Sequence, residues 1–396
     1  MKKVLSAFLA LVLTALCLTA AAQENTADLR FRNGEFKILH LTDTQDDHHP
    51  SADMLNLLKM SIEREKPDLI VFTGDLVEDS RDLDMFSDDE PFKEGVVVKN
   101  NDETDHDATL ENINIAAGAV LSVFEESGIP FAIAQGNNDY KCSITNEEWL
   151  EIYSRYPGCI TFDESDDEEG RIDYHLEIKG DDGSDKFNLW LMDTGRSGIS
   201  EQSVDWYREK ASEITAANGG EPVPAIAFQH IHDADIGNLF TGCSMVDNGV
   251  KYAGGKFIRL DKERAKGEPF FGYAPCEQTY EFKAWKEQGD VIGAFFGHQH
   301  VEGFSGIYDG IELGFTYGCE FAKTGPYGYR VITLHEDDPA NYDNITCKYT
   351  GSVKTGNAKI EEEEYKAYKD DPASKALLAP VNFMLAIVNV IISLFL

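Results

Sequence analysis

The chain has 396 residues, 42% of them hydrophobic and 11% aromatic, which is enough for one large domain or two small ones and excludes wholesale disorder. Acidic residues outnumber basic ones 71 to 35, for a formal net charge of −36. Such a surface repels nucleic-acid phosphates, so DNA and RNA are not expected partners, and the acidity suits a soluble exported protein.

In chain order, residues 1–22 read as a signal peptide. Lys2 and Lys3 form a positive start, Val4 to Leu18 is apolar, and Ala20-Ala21-Ala22 before Gln23 is a small-residue cleavage site. The main domain is expected over 23–355. Phe36 to Leu41 predicts a short buried strand ending at Thr42-Asp43, followed by a helix over Met54 to Glu65. Leu69 to Phe72 predicts a buried strand ending in Thr73-Gly74-Asp75. A helix over Asn112 to Phe124 precedes a strand from Phe131 to Ala134 that ends in Gln135-Gly136-Asn137-Asn138-Asp139.

The second half repeats this logic with more strand. Ile172 to Ile178 alternates, Phe187 to Met192 is apolar throughout, and Ser203 to Ala217 is helical in pattern. Ala225 to Phe228 leads into Gln229-His230-Ile231-His232. A helix over Gln278 to Gln288 precedes Val291 to Phe296, which runs into Gly297-His298-Gln299-His300, and Tyr327 to Leu334 predicts a late strand. Two stretches look inserted. Asp79 to Asp107 is very acidic and reads as a solvated loop, and His232 to Cys276, rich in glycine and aromatics, reads as a lid or an irregular surface excursion.

Residues 356–375 read as an acidic linker. Residues 376–396 carry no charged side chain, and 21 residues suffice to span about 30 Å of hydrocarbon as a helix. They are expected to be a membrane anchor or a cleaved lipid-anchor signal, the competing reading being an amphipathic helix packed on the domain. The expected location is extracytoplasmic, secreted or anchored at the cell surface. Cys142, Cys159, Cys243, Cys276, Cys319 and Cys347 lie beyond the cleavage site, which leaves three disulfides or buried thiols open; none has CxxC spacing.

Strands alternating with helices predict an α/β domain, with ligands bound outside the carboxyl ends of the strands. The polar groups that follow those strands are Asp43, Asp75, Asn137, His230, His298 and His300. Two carboxylates, an amide and three imidazoles suit Zn, Fe, Mn or Ni rather than a thiolate site. The glycines before Asp75, Asn137 and His298 permit a tight turn at each strand end. A carboxylate such as Asp75 can bridge two cations, and two metals about 4 Å apart can hold a hydroxide between them for in-line attack on phosphorus.

The ordered series TDTQ (42–45), GDLVED (74–79), GNND (136–139), QHIH (229–232) and GHQH (297–300) resembles the calcineurin-like metallophosphoesterases, whose usual series is DxH, GD, GNHD or GNHE, a single His, and GHxH. The run from FNLWLMDTG (187–195) to GHQHVEGF (297–304) is most similar to their single-domain, purple-acid-phosphatase-like branch. The resemblance implies a four-layer αββα sandwich of two mixed β-sheets flanked by helices. It implies one metal held by Asp43, Gln45, Asp75 and His300, a second held by Asp75, Asn137, His230 and His298, and a pair of divalent or trivalent ions (Fe, Mn or Zn). It implies hydrolysis of small phosphate mono- or diesters.

The sequence departs from that pattern twice. Gln45 stands where DxH has its His, and an amide oxygen binds late transition metals less well than imidazole; Glu78, three residues after Asp75, is a candidate oxygen ligand. Asn138 stands where GNHD has its His, and an amide donates a hydrogen bond but delivers no proton at neutral pH. His232 is the candidate replacement for that catalytic His. These departures keep open a second reading, a non-catalytic binding module on the same fold.

Overall fold

The structure is a computed structural model that describes residues 27–78, 106–165, 170–245, 247–253, 255–267, 269–273, 276, 280–322, 325–363 and 384. The segments read as signal peptide and, apart from Met384, as C-terminal anchor lie outside the described residues, as does most of the acidic stretch after Asp79. Among the described residues, no helix is long and apolar enough to cross a membrane.

Strand β1 (Glu35–Leu41) is buried on both faces. Phe36 and Ile38 point one way with His40, and Leu39 and Leu41 point the other, as the two-residue period of a strand requires. The same split holds in β2 (Leu69–Thr73), whose Leu69 and Val71 face away from Ile70 and Phe72. A strand buried on both faces needs a layer against each, and the architecture follows from that.

Six strands form the first sheet, in the order β16 (Lys359–Glu362), β15 (Tyr342–Thr350), β14 (Tyr327–His335), β1, β2 and β3 (Phe131–Ala134). Seven form the second: β10 (Ala265–Lys266), β12 (Ser305–Tyr308), β13 (Ile311–Phe315), β11 (Val291–Phe296), β6 (Ala225–Gln229), β5 (Asp185–Met192) and β4 (Tyr174–Lys179). Between the sheets lie Ile38, Val71, Leu189, Phe228, Phe295 and Ile332. Helices α1 (Ala52–Glu65), α2 (His106–Ser127) and α3 (Asn146–Tyr153) cover the outer face of the first sheet. Helices α4 (Glu201–Ala217) and α5 (Glu281–Gln288) cover the second through Val204, Tyr207 and Trp285. This is the four-layer αββα arrangement expected from the sequence.

Parallel pairing runs β1–β2–β3 in one sheet and β5–β6–β11–β13 in the other. The carboxyl ends of β1, β2, β3, β6 and β11 therefore open toward one crevice. A buried polar chain runs beneath it. The Arg330 guanidinium is within 3.2 Å of Thr316 Oγ1, which lies 2.8 Å from His40 Nδ1, and His40 Nε2 lies 2.8 Å from Thr73 Oγ1. Burial and the nearby Arg330 hold His40 neutral, well below the ordinary imidazole range.

Three details differ from the sequence reading, and the open choice between disulfides and thiols is decided. Helix α2 begins at His106, not Asn112. The 232–276 excursion is not irregular, because it builds a three-stranded antiparallel sheet of β7 (Phe240–Gly242), β9 (Lys256–Leu260) and β8 (Lys251–Ala253) and supplies edge strand β10. Its Ile236, Leu239 and Leu260 join the core outside the second sheet, and three backbone N–H groups at Phe270, Phe271 and Gly272 donate to the buried Glu302 carboxylate. Residues 359–362, read as part of an acidic linker, form β16 on the edge of β15, where Arg64 donates to Ile360 O and Glu362 Oε1. No disulfide joins the six described cysteines; the thiols of Cys159, Cys276 and Cys319 instead donate to nearby oxygens.

On edge strand β4, His175 Nδ1 lies 2.6 Å from Glu164, whose other oxygen takes Lys210 of α4 at 3.0 Å. Burial disfavours the charged imidazole, but hydrogen bonds to Glu164 and Glu177 outweigh it and raise His175 to about 9. A raised basic group stabilises the fold fully below its unfolded value and loses that contribution as pH climbs through the folded value. Hydrogen bonds to charged groups contribute about 1.5–3 kcal/mol. His175→Gln should therefore lower the Tm clearly at pH 6, and the gap should narrow as pH passes about 9; thermal melts of both proteins across that range check it.

Candidate metal centre

Tight geometry at the strand ends aims the polar groups inward. Gly74 (φ +76°) takes a left-handed turn between β2 and Asp75, and a Cβ on it would sit 2.3 Å from the Gly136 backbone nitrogen. Gly136 itself has no positive φ; a Cβ there would meet the Asp75 nitrogen at 2.2 Å, so close approach rather than a turn demands glycine. The loops after β2 and β3 are thereby pressed together. Asp139 locks them: its buried carboxylate accepts the N–H groups of Asp75 (2.9 Å), Leu76 (2.9 Å) and Gly136 (2.8 Å).

Asp43, Gln45, Asp75 and His298 are non-glycine residues at positive φ, between 34° and 66°. Such conformations cost on the order of 1–3 kcal/mol each and persist where the surroundings over-determine them. Asp43 is tied to the opposite sheet by the His298 N–H, 3.0 Å from its Oδ2. The Gln45 N–H donates to the Asp75 carbonyl at 3.0 Å.

Two clusters result, each with ligand atoms within 4.8 Å of one another, and Asp75 belongs to both. Asp75, His230 and His298 form one; Asp43, Asp75 and His300 form the other. A third group, Asp47, His48 and His49, lies along one loop and shares no residue with them. His230 Nε2 stands 3.2 Å from Asp75 Oδ2 and 3.0 Å from Asn137 Oδ1. The same end of the Asn137 amide is 2.8 Å from His298 Nδ1. On the other side His300 Nε2 stands 3.3 Å from Asp43 Oδ1.

The second ring nitrogens fix which nitrogens face the clusters. His230 Nδ1 lies 2.7 Å from the Thr73 carbonyl oxygen, which can only accept, so Nδ1 carries a hydrogen and Nε2 is the nitrogen that faces Asp75; burial disfavours the charged ring, but Asp75 and Asp43 outweigh it and raise His230 to about 9, so a metal would have to displace the Nε2 proton. His300 Nδ1 bonds to the buried Glu320 carboxylate, which turns His300 Nε2 toward Asp43 in the same manner. A carboxylate or carbonyl behind a ligating imidazole is the usual support of a metal site.

The donor set fits a pair of cations. The Asn137 amide lies 3.0 Å from His230 Nε2 and 2.8 Å from His298 Nδ1: turned one way its nitrogen donates to the rings, and turned the other its oxygen would join them as a ligand. Gln45 is 2% exposed, and its Oε1 has no hydrogen-bond partner among the described residues. Charge is strained as well. Burial would raise the Asp75 carboxyl, but His230 outweighs it and lowers the group to about 2. Burial and the neighbouring His230 push His298 down to about 3. Perturbed groups of this kind are concentrated at functional sites.

Asp43, Asp75, His230, His298 and His300, five of the six sequence-predicted ligands with an ionisable side chain, fall in the two clusters, and the Asn137 amide lies against His230 and His298. Glu78 is buried but belongs to neither cluster. Asn138 donates its backbone N–H to Asp75 Oδ1 (2.8 Å) and its amide to Asp75 Oδ2 (2.9 Å). His232 is also buried; its ring packs 4.9 Å from Phe315 and 6.5 Å from Phe296, and 6.4 Å from the His298 ring. Asp139, Glu320 and Lys141, which bonds to Asn138 Oδ1 at 2.6 Å, were not singled out in the sequence. Asp139 lay inside a recognised motif, whereas Glu320 had no motif to mark it.

A sequence model of the calcineurin-like phosphoesterase family matches residues 36–302. Among curated relatives, the probable inactive purple acid phosphatase 14 of Arabidopsis thaliana is 24% identical over 368 residues, 82% of each chain. The probable inactive purple acid phosphatase 29 of the same plant is 24% identical over 364 residues, 80% of each chain. A dimetal phosphatase from Danio rerio aligns structurally over 85% of this chain and 99% of its own at 12% identity, with a TM-score of 0.45.

Because Asp75 belongs to both clusters, Asp75→Asn should abolish metal uptake at both. Glu320 supports His300 alone, so Glu320→Gln should weaken one of the two binding events by about ten- to a hundredfold and spare the other. Calorimetric titration with Mn²⁺ or Zn²⁺, with elemental analysis of each variant, checks both outcomes.

Proposed function

Because the chain belongs to the calcineurin-like phosphoesterase family, we propose that it is a metal-dependent phosphoric ester hydrolase acting on small phosphate mono- or diesters. Asp43, Gln45, Asp75 and His300 hold one divalent or trivalent ion in this reading, and Asp75, Asn137, His230 and His298 hold the other, with Fe, Mn or Zn as the ions. The single observation that carries the proposal is the pair of clusters sharing one buried carboxylate. Bound there, two cations supply an activated water and neutralise the phosphoryl group.

The chain's own residues do the rest. Thr73 and Glu320 hold the imidazoles of His230 and His300 in the ligating tautomer. Asn138 orients the bridging carboxylate through its amide N–H and offers no proton to a leaving group. His232, two residues beyond His230, is our candidate for that proton. The location we propose is extracytoplasmic, a reading that rests on the composition of residues 1–22.

A second reading has a specific observation behind it. Gln45 and Asn138 replace imidazoles with amides, and both curated relatives carry names that call them probable inactive. A phosphate-binding protein without turnover would fit those substitutions. The retained cluster of Asp43, Asp75, His230, His298 and His300 favours hydrolysis.

The full chain loaded with Mn²⁺ should release phosphate or alcohol from an aryl phosphate or its methyl diester, lose that activity to a chelator, and regain it on adding metal back. Metal uptake without turnover on either ester would select the binding reading. His232→Ala should keep its metal and lose turnover most on esters with poor leaving groups, which need protonation. Equal rates across leaving groups would remove His232 from the chemistry.

A further inference from the structure

The turn that follows β3 carries a cation to the centre. Asn138 precedes a short 3₁₀ turn, Asp139–Lys141, and the Lys141 N–H closes it on the Asn138 carbonyl at 2.8 Å. That closure folds the half-buried Lys141 side chain back over the asparagines. Its Nζ lies 2.6 Å from Asn138 Oδ1 and 3.0 Å from the Asn137 amide nitrogen. The other end of the Asn137 amide is its oxygen, in contact with His230 Nε2 and His298 Nδ1. One amide therefore separates the lysine from the atoms of the Asp75–His230–His298 cluster.

The orientation of that amide matters. With Oδ1 turned to the imidazoles, Asn137 Nδ2 points away from them and donates to Asn138 Oδ1 at 3.1 Å. Turned the other way, the amide places its oxygen 3.0 Å from Lys141 Nζ; only with Oδ1 drawn to a cation at the imidazoles would Asn137 Nδ2 and Lys141 Nζ aim at one oxygen. Two donors, one of them cationic, brought together beside a metal cluster make a place for an anionic oxygen. Asn138 Oδ1 fills it here, and a ligand oxygen taking that place would turn the Asn138 amide and give up its bond to Asp75 Oδ2, while the Asn138 backbone N–H keeps Asp75 Oδ1.

We propose that Lys141 makes this site selective for phosphate monoesters over diesters. The inference rests on the hydrolase reading above. Above its second pKa of about 6 a monoester is a dianion with three terminal oxygens. Two of them would suffice for cations held by the clusters, and the third would be left to face Lys141 and Asn137 Nδ2. A diester is a monoanion, and the corresponding position is an uncharged alkoxy oxygen bearing a carbon chain. Lys141 binds the first strongly and the second weakly. On a chain of net charge −36, a cation set at the crevice also offsets the repulsion that a dianion would meet.

The test compares wild type, Lys141→Met and Lys141→Arg as full chains loaded with Mn²⁺. The readouts are kcat/KM on an aryl phosphate and on its methyl diester, and calorimetric affinity for inorganic phosphate and dimethyl phosphate. Lys141→Met should lower the monoester-to-diester ratio about tenfold, with a matching loss of phosphate affinity relative to dimethyl phosphate. Lys141→Arg should keep most of the preference, and metal content should match wild type in both. Equal losses on monoester and diester would overturn the proposal, reducing Lys141 to a residue that orients Asn138. If wild type turns over neither ester, the hydrolase reading fails, and the affinities for phosphate and dimethyl phosphate alone decide the role of Lys141.

Discussion

Backbone N–H groups of Asp75, Leu76 and Gly136 all point at one buried carboxylate, that of Asp139. Parallel strands that end inside a protein leave such amides without ladder partners, and an orphaned buried amide is costly. Asp139 satisfies three at once, and in doing so welds the loop after β2 to the loop after β3. The contact is close enough that neither Gly74 nor Gly136 has room for a methyl group. Asp75 is thereby presented at the crevice floor, where both clusters can use it.

Everything else at the site is arranged around that carboxylate. Asp43 and His300 approach it from one side, and His230, His298 and Asn137 from the other. Their strands belong to two different sheets, so the site exists only because the sheets pack face to face. The apolar layer that holds them, with Phe228, Phe295 and Ile332 at its centre, sits beneath the polar chain from Arg330 through His40 to Thr73. Packing energy and site geometry are thus one problem: a shift of the sheets would pull His298 N–H off Asp43 as surely as it would open the core.

Much of this was legible in the sequence because a doubly buried strand is a short apolar run that stops at a polar residue. FKILHL, LIVF, FAIA, AIAF and VIGAFF each end that way, and each delivers a group to the crevice. Strand β16 was not legible, since Lys-Ile-Glu-Glu has no apolar run and becomes a strand only through its pairing with β15 and the grip of Arg64. The small sheet of β7, β8 and β9 was missed for a similar reason, its strands being three to five residues long. Glu320 and Asp139 were missed as supports because their work is done on a distant ring nitrogen and on backbone amides, and a sequence displays neither.

The two departures from the family pattern change chemistry without loosening the scaffold. Gln45 sits in a left-handed bend like Asp43, with its side chain buried and its N–H on the Asp75 carbonyl. Asn138 holds both oxygens of Asp75 through its own N–H and amide, and its carbonyl takes Lys141. Four residues here stay strained, and two imidazoles keep their supporting acceptors. Replacing imidazole by amide removes a strong nitrogen ligand at one position and a proton donor at the other. In the reading proposed above, the substitutions would bear on which cations bind and which leaving groups depart, while the positions of Asp43, Asp75, His230 and His300 stay set by the strand ends and their backing groups.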